Sequence, residues 1–254
     1  MKRENFNPGT LLGPLPAVMV TVGDMDNSNI ITVAWTGILS SDPPRAYVSV
    51  RPSRHSHKML IEKGEFVINL TTEKLAYATD YSGIYTGAKV DKFEALSLTK
   101  TKSAVVSAPT IAESPLSLEC RVFERLSFGT HDVFMADIVN VSADDSLLDE
   151  KGRICLEKAG LMAYAHGEYF ALGEKIGKFG FSAAKETKAQ MKRNNTKTSS
   201  SEKSKASEKS VQTKKTADAK ISSDTPKKEP YYAKFVNKRG ANKSAKPKSK
   251  GGRK

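Results

Sequence analysis

The sequence predicts a mainly β fold, an antiparallel β-barrel of Greek-key-like connectivity with a few short helices, followed by a basic extension that has no core of its own. Three observations predict it. Short apolar runs bounded by Gly, Pro, Asp or Asn recur through the first 182 residues, helical periodicities are few and brief, and charge is divided unevenly along the 254 residues.

The runs at 17–22, 30–35, 46–51 and 65–70 have the length and β-branched content of strands. A longer pair follows. Leu116, Leu118, Cys120 and Val122 alternate with Ser117, Glu119 and Arg121, which predicts a strand with one wet face, and 133–141 is apolar on both faces and should lie deeper. Ser127-Phe128-Gly129-Thr130 is turn-rich and joins the two as a hairpin. One helix is expected over 56–63, closed by Gly64, and another over 72–81, capped by Thr72 and stopped by Gly83.

Residues 1–182 hold 19 basic and 22 acidic side chains, a net of −3, whereas 183–254 hold 22 and 6, a net of +16. In the second stretch only Met191, Val211, Ile221, Tyr231, Tyr232, Phe235 and Val236 are large and apolar, too few to offset the entropy of ordering it. It is expected to be a disordered, Lys-rich tail, either a solubilising extension or a weak, salt-sensitive and non-specific binder of nucleic acid or another polyanion. The first stretch is expected to form one domain.

Cys120 and Cys155 stand far apart with no CxxC or Cys/His cluster, so neither a disulfide framework nor a metal site is expected. No apolar run approaches the length of a membrane span, and 1–10 lack a signal-peptide core, which makes a cytoplasmic protein the expectation. Walker A, GxGxxG, HExxH and GxSxG patterns are all missing, which disfavours P-loop, Rossmann, zinc-protease and serine-hydrolase chemistry.

The densest polar cluster is Ser49-Val50-Arg51-Pro52-Ser53-Arg54-His55-Ser56-His57-Lys58, running from a strand end into a helix start. Hydroxyls of Ser53 and Ser56, guanidinium forks of Arg51 and Arg54 and free helix N–H groups suit an anion such as phosphate. The plainer alternative is a solvated basic loop with Ser56 as a helix cap. Trp35 read alone is a core residue, Cys120 a buried structural thiol, and Cys155 a more exposed one. His57 and His166 read as surface or interface histidines, because no carboxylate stands at a suggestive spacing.

The segments Asn29-Ile30-Ile31-Thr32-Val33-Ala34-Trp35-Thr36, Ser40-Ser41-Asp42-Pro43-Pro44, Val50-Arg51-Pro52-Ser53-Arg54-His55-Ser56 and Gly64-Glu65-Phe66-Val67-Ile68-Asn69-Leu70, with Asp91-Lys92-Phe93, Ala108-Pro109 and the 113–119 and 167–173 stretches, resemble the flavin reductase-like, FMN-binding split-barrel family, most of all its flavoredoxin-type members. The likeness covers roughly 8–182 and leaves the tail outside. It implies a split β-barrel and a homodimer with FMN near the subunit interface. It also implies Asn29, Thr32 and Trp35 beside the flavin ring, Ser40 and Ser41 near its polar edge, and Ser49, Arg51, Ser53, Arg54 and Ser56 around the phosphate.

Gly129-Thr130-His131-Asp132 is similar to the family's Gly-Asp-His motif, which implies NADH or NADPH as co-substrate and makes His131 the candidate catalytic residue; Thr130 departs from the motif's Asp. A second reading of the same residues has His131 closing the hairpin by hydrogen bonds to backbone, and both stand open at this point. The resemblance implies an oxidoreductase that moves a hydride from NAD(P)H to flavin and on to free flavin or a redox partner. An FMN electron carrier without nicotinamide turnover, or a nucleic-acid-associated protein acting through its tail, are the competing readings.

Overall fold

The computed structural model describes residues 2–183. The expected tail, apart from Ala183, lies outside the described residues. Met1–Phe179 forms one compact unit. Its strands are β1 (Leu15–Pro16), β2 (Val18–Gly23), β3 (Ser28–Val33), β4 (Thr36–Ser41), β5 (Pro44–Val50), β6 (Glu65–Asn69), β7 (Lys100–Thr101), β8 (Thr110–Ile111), β9 (Leu116–Ser127), β10 (Asp132–Ala143), β11 (Met162–Ala165) and β12 (Glu168–Ala171). Three α-helices accompany them: α1 (His55–Lys63), α2 (Ala76–Ile84) and α3 (Lys92–Ala95).

Seven strands form one antiparallel sheet in the order β3-β2-β6-β9-β10-β5-β4. Its two edges are consecutive in sequence, joined only by Ala34 and Trp35. Laid flat, seven strands would separate those edges by about 29 Å, whereas the steps from Val33 to Thr36 reach at most about 11 Å. The sheet therefore curls to bring its two edges to this connection, and the backbone N–H of Ser49 in β5 donates to the carbonyl of Trp35 at 2.9 Å, extending the β4–β5 pairing into it. A three-stranded sheet, β1-β11-β12, lies beside the barrel.

Alternation along the strands fills the interior. Val18, Val20 and Val22 of β2, Ile31 and Val33 of β3, Val48 and Val50 of β5, Phe66, Ile68, Cys120 and Phe134 form one buried cluster, closed at one end by Met59 and Leu60 of α1. The outer face of β2 and β3 is covered as well, because Met19 and Ile30 pack with Leu75, Ala78, Phe93 and Ile111 under α2 and α3. That is why all six residues of β2 are buried.

The four short strands stand where the sequence predicts them, within two residues at each end, and the long hairpin follows, with β9 running five residues beyond the alternation that ends at Val122. Gly64 closes α1 in the left-handed region, φ 62°, its N–H on the carbonyl of Leu60. Five expectations are corrected. The strand β4 carries Gly37 and two serines and was not foreseen; pairing with β5, rather than its own propensity, makes it a strand. The second helix begins as a 3₁₀ turn, Glu73–Leu75, in which Thr72 makes no side-chain cap, and it runs through Gly83, where the backbone needs no positive φ. Cys155 is buried rather than exposed.

Trp35, the expected core residue, is 40% exposed, because the edge-to-edge step leaves no interior position for it. The wet face of β9 is the fifth, corrected in part, since Arg121 is exposed as expected. Ser117 and Glu119 are both buried, because residues 102–109 fold over them. Glu119 accepts hydrogen bonds from the backbone N–H groups of Ala104 (2.9 Å), Val105 (2.7 Å) and Val106 (3.1 Å), and from the amide of Asn140 (2.8 Å). Burial alone would raise its pKa, but those donors outweigh burial and hold the carboxyl below its ordinary value.

Cys120 is the buried structural thiol expected, its pKa pushed up to about 12 by burial and by the charge of Glu119. Among the described residues no helix is long and apolar enough to cross a membrane. Glu119→Ala orphans the buried amide of Val106 and frees the 102–109 segment, and should cost about 3 kcal/mol in urea unfolding. The carboxyl's lowered pKa adds a pH signature. Its contribution is present above the unfolded-state pKa and is lost as pH falls through the folded one, so wild type and Glu119→Ala converge in acid.

Candidate functional site

The 51–56 loop turns back on itself, with the N–H of Arg54 on the carbonyl of Arg51 at 3.0 Å, and delivers Arg54 as the extended residue that precedes α1. Arg54 makes no side-chain cap, so its guanidinium is left for other partners. The helix begins one residue earlier than expected, and Ser56 is not its cap. Ser56 is buried and accepts a hydrogen bond from the side-chain amide of Asn29 at 2.7 Å.

Asn29, Ser53, Arg54 and Ser56 line one cleft, together with Ser82, Tyr85 and Gly87 at the end of α2 and Lys92 of α3. No carboxylate lines it. Lys92 is only 3% exposed, its ammonium donating to the carbonyls of Ile30 (2.6 Å) and Ser82 (2.8 Å). The side chain of Asp91 caps α3 by accepting from the N–H groups of Phe93 and Glu94, which fixes the start of the helix that carries it. Burial first, and then the neighbouring charge of Arg54, lower the Lys92 pKa to about 8.

The hydroxyl of Ser82 is buried without a hydrogen-bond partner. Buried polar groups are nearly always paired; among the described residues Ser28 and Ser82 are the exceptions, and only Ser82 lines this cleft. Two cations, an amide, three serine hydroxyls and no acid make the cleft selective for an anion. The close approach of Gly87 to Asn29 shapes it, because a Cβ at 87 would sit 2.1 Å from the Asn29 oxygen.

The other expected residues are dispersed around this cleft. Thr32 donates to the carbonyl of Thr79 and packs against Gly83 of α2. Trp35 stands at the barrel junction. Ser40 donates to the carbonyl of Pro43 at 2.6 Å, Ser41 is exposed on β4, and Ser49 is half-buried on β5. Arg51 is exposed and does not line the cleft. It faces the hairpin turn instead, since Val50 pairs with Asp132 in register and the charge of Arg51 acts on His131.

His131 has its Nδ1 3.0 Å from the hydroxyl of Thr130, so its side chain bonds that hydroxyl and the turn is closed by backbone, with the N–H of Phe128 on the carbonyl of His131. Burial, then Arg51, lowers its pKa. His57 corrects the sequence reading. It is buried, and its Nε2 lies 2.8 Å from Oδ2 of Asp132, a carboxylate 75 positions away that no local spacing reveals. Lys92, Ser82 and Gly87 were also missed; a lysine beside an Asp reads from sequence as solvated, and only the packing of α3 buries it. Among the described residues no cluster of His, Cys, Asp and Glu is arranged for a metal ion.

The flavin reductase like domain family matches residues 13–173. The chain belongs to this family. Flavoredoxin of Desulfovibrio vulgaris (Miyazaki F) superposes with a TM-score of 0.67 at 32% identity, covering 72% of this chain and all of that one. An FMN-binding protein from Thermus thermophilus superposes with a TM-score of 0.59 at 25% identity, covering 70% of this chain and 98% of that one. By sequence, an uncharacterized protein of Archaeoglobus fulgidus is 34% identical over 151 residues, 59% of this chain and 85% of that protein. The fold is the family's split barrel.

The cleft geometry is directly testable through its one glycine contact. Gly87→Ala forces Asn29 off Ser56 and should destabilise the fold by about 1–3 kcal/mol in urea unfolding, the usual scale of overpacking.

Proposed function

We propose that this chain is an FMN-dependent flavin reductase, with NADH or NADPH as hydride donor and free flavin or a redox partner as acceptor. One observation carries the reading: within a flavin reductase family fold, an unpaired buried hydroxyl, Ser82, lines a carboxylate-free cleft between Arg54 and Lys92. Those residues fit the phosphate of FMN. When bound, FMN supplies the redox chemistry by accepting a hydride at N5.

The protein's part is binding and placement. Arg54 and Lys92 offset the phosphate charge, and Asn29, Ser53, Ser56 and Ser82 supply its polar contacts. Thr32, wedged against Gly83, and the exposed indole of Trp35 are the groups the family likeness puts beside the ring. Burial and then the charge of Arg51 lower the His131 pKa, which favours its neutral, hydrogen-bonding form over the cation. Arg51, beside it, supplies the charge for a dinucleotide.

A homodimer belongs to the same proposal. Trp35, Ile38 and Leu39 on one edge and Phe123, Leu126 and Phe128 on the hairpin are exposed, more apolar surface than an isolated barrel leaves to water without use.

The visible spectrum of the purified protein, before and after anaerobic NADH or NADPH, tests the function. Flavin absorbance that bleaches with either nucleotide is expected. Absorbance that persists with both overturns the hydride step and leaves an electron carrier.

Two binding predictions follow from the cleft. Arg54→Ala should weaken FMN by about 1.5–3 kcal/mol in a fluorescence titration, with Arg51→Ala costing less, since only the first lines the cleft. Lys92 is charged below about pH 8 and loses its proton above it, so FMN affinity should hold from pH 6 and fall as pH rises past about 8. Lys92→Met should weaken binding and flatten that dependence; a titration curve of unchanged shape would remove Lys92 from the site.

A further inference from the structure

Asp132 opens β10, and its carboxylate is a meeting point. His57 of α1 bonds it at 2.8 Å, Arg125 of β9 lies 3.6 Å away, and the side chain of Ser127, its cross-strand partner, also hydrogen-bonds to it. His57 and Asp132 are 7% and 5% exposed, and the His57 ring packs edge-on against Phe134 with centroids 5.4 Å apart. Replacing a buried pair of this kind by apolar side chains is often neutral for stability, so its distinctive contribution is directional.

The direction matters because of what adjoins each partner. His57 lies on the first turn of α1, its N–H on the carbonyl of Arg54, next to the Ser56 that holds Asn29. Asp132 directly follows His131 and stands opposite Val50, the neighbour of Arg51. Neither member lines the anion cleft. Each therefore acts through the residues beside it.

We propose that His57 and Asp132 are a positioning pair, which clamps the turn end of the β9–β10 hairpin to α1 and so sets His131 and Arg51 in place to grip a nicotinamide dinucleotide, while FMN affinity is set separately in the cleft. The proposal rests on the nucleotide reading above, and it concerns alignment rather than chemistry at the reacting atoms.

The test uses the full chain loaded with FMN, carrying His57→Leu, His57→Gln or Asp132→Asn. Amide hydrogen exchange across 128–132 is measured alongside FMN affinity and the KM and kcat for NADH and NADPH. His57→Leu should speed exchange in the turn and raise nucleotide KM by about tenfold or more, the scale of one charge-assisted hydrogen bond, while FMN affinity moves by less than about threefold. His57→Gln, whose amide can still donate to Asp132, should restore most of the protection.

Unchanged exchange in His57→Leu, a failure of Gln to rescue, or a matching loss of FMN affinity would overturn the proposal. Asp132→Asn preserves the shape of the side chain and takes over where leucine prevents folding; unaltered exchange there is equally fatal. A wild-type chain that oxidises neither nucleotide sinks the nucleotide reading and that part of the proposal, while exchange at 128–132 still decides whether the pair clamps the hairpin.

Discussion

The structure depends on the two-residue crossing at Ala34 and Trp35. Because β3 and β4 are opposite edges of one sheet and neighbours in sequence, the sheet has no flat alternative, and the Ser49-to-Trp35 hydrogen bond extends the β4–β5 ladder into the crossing. Closure then fixes nearly everything else. It turns one face of each strand into a sealed interior, while the direct pairing of β5 with β10 puts the end of one beside the start of the other and sets the places of the 51–56 loop and the hairpin turn. A one-residue slip in any of these strands would reverse its interior and exterior side chains, so the closed barrel also locks its own register.

Buried polar side chains do the bracing outside that interior. Glu119 gathers three consecutive amides of one loop, and Asn69 of β6 bonds the carbonyl of Met19, the hydroxyls of Thr21 and Ser117, and the amide of Ile111. Lys92 holds carbonyls of β3 and α2, and Asp132 joins α1 to the hairpin. Each replaces water lost on burial with protein partners, as burial demands. Among the described residues the buried hydroxyls of Ser28 and Ser82 are the exceptions, and Ser82 is the one that lines the cleft.

The barrel was legible in the sequence because its strands are amphipathic or wholly apolar and end at Gly, Pro, Asp or Asn, and because Gly64 stops α1 in the one conformation glycine tolerates best. What stayed hidden was set by distant chain. Glu119 reads as solvent-facing by alternation, and only the 102–109 segment makes it buried. His57 has no acid at a suggestive spacing in sequence, and Asp132 reaches it because β10 pairs with β5, whose end leads into α1. Of the residues expected around phosphate, Ser53, Arg54 and Ser56 share one cleft, joined there by Asn29, which was expected beside the ring, whereas Arg51, one residue past the end of β5, faces the hairpin turn. Lys92 was visible as a quoted motif but not as a buried cation, since nothing in a single sequence tells a lysine on a short helix that it will be covered.

The thiol sealed inside the barrel bears on how such a protein endures its own chemistry. Reduced flavin meeting air yields peroxide, and peroxide attacks cysteine through the thiolate. With its pKa pushed to about 12, Cys120 is ionised in only about one molecule in ten thousand at pH 8, and the barrel wall keeps oxidant away from it. Cys155 is buried too. Burial and a raised pKa therefore keep the Cys120 thiol from being offered to oxidant as a ready thiolate, even beside a source of peroxide.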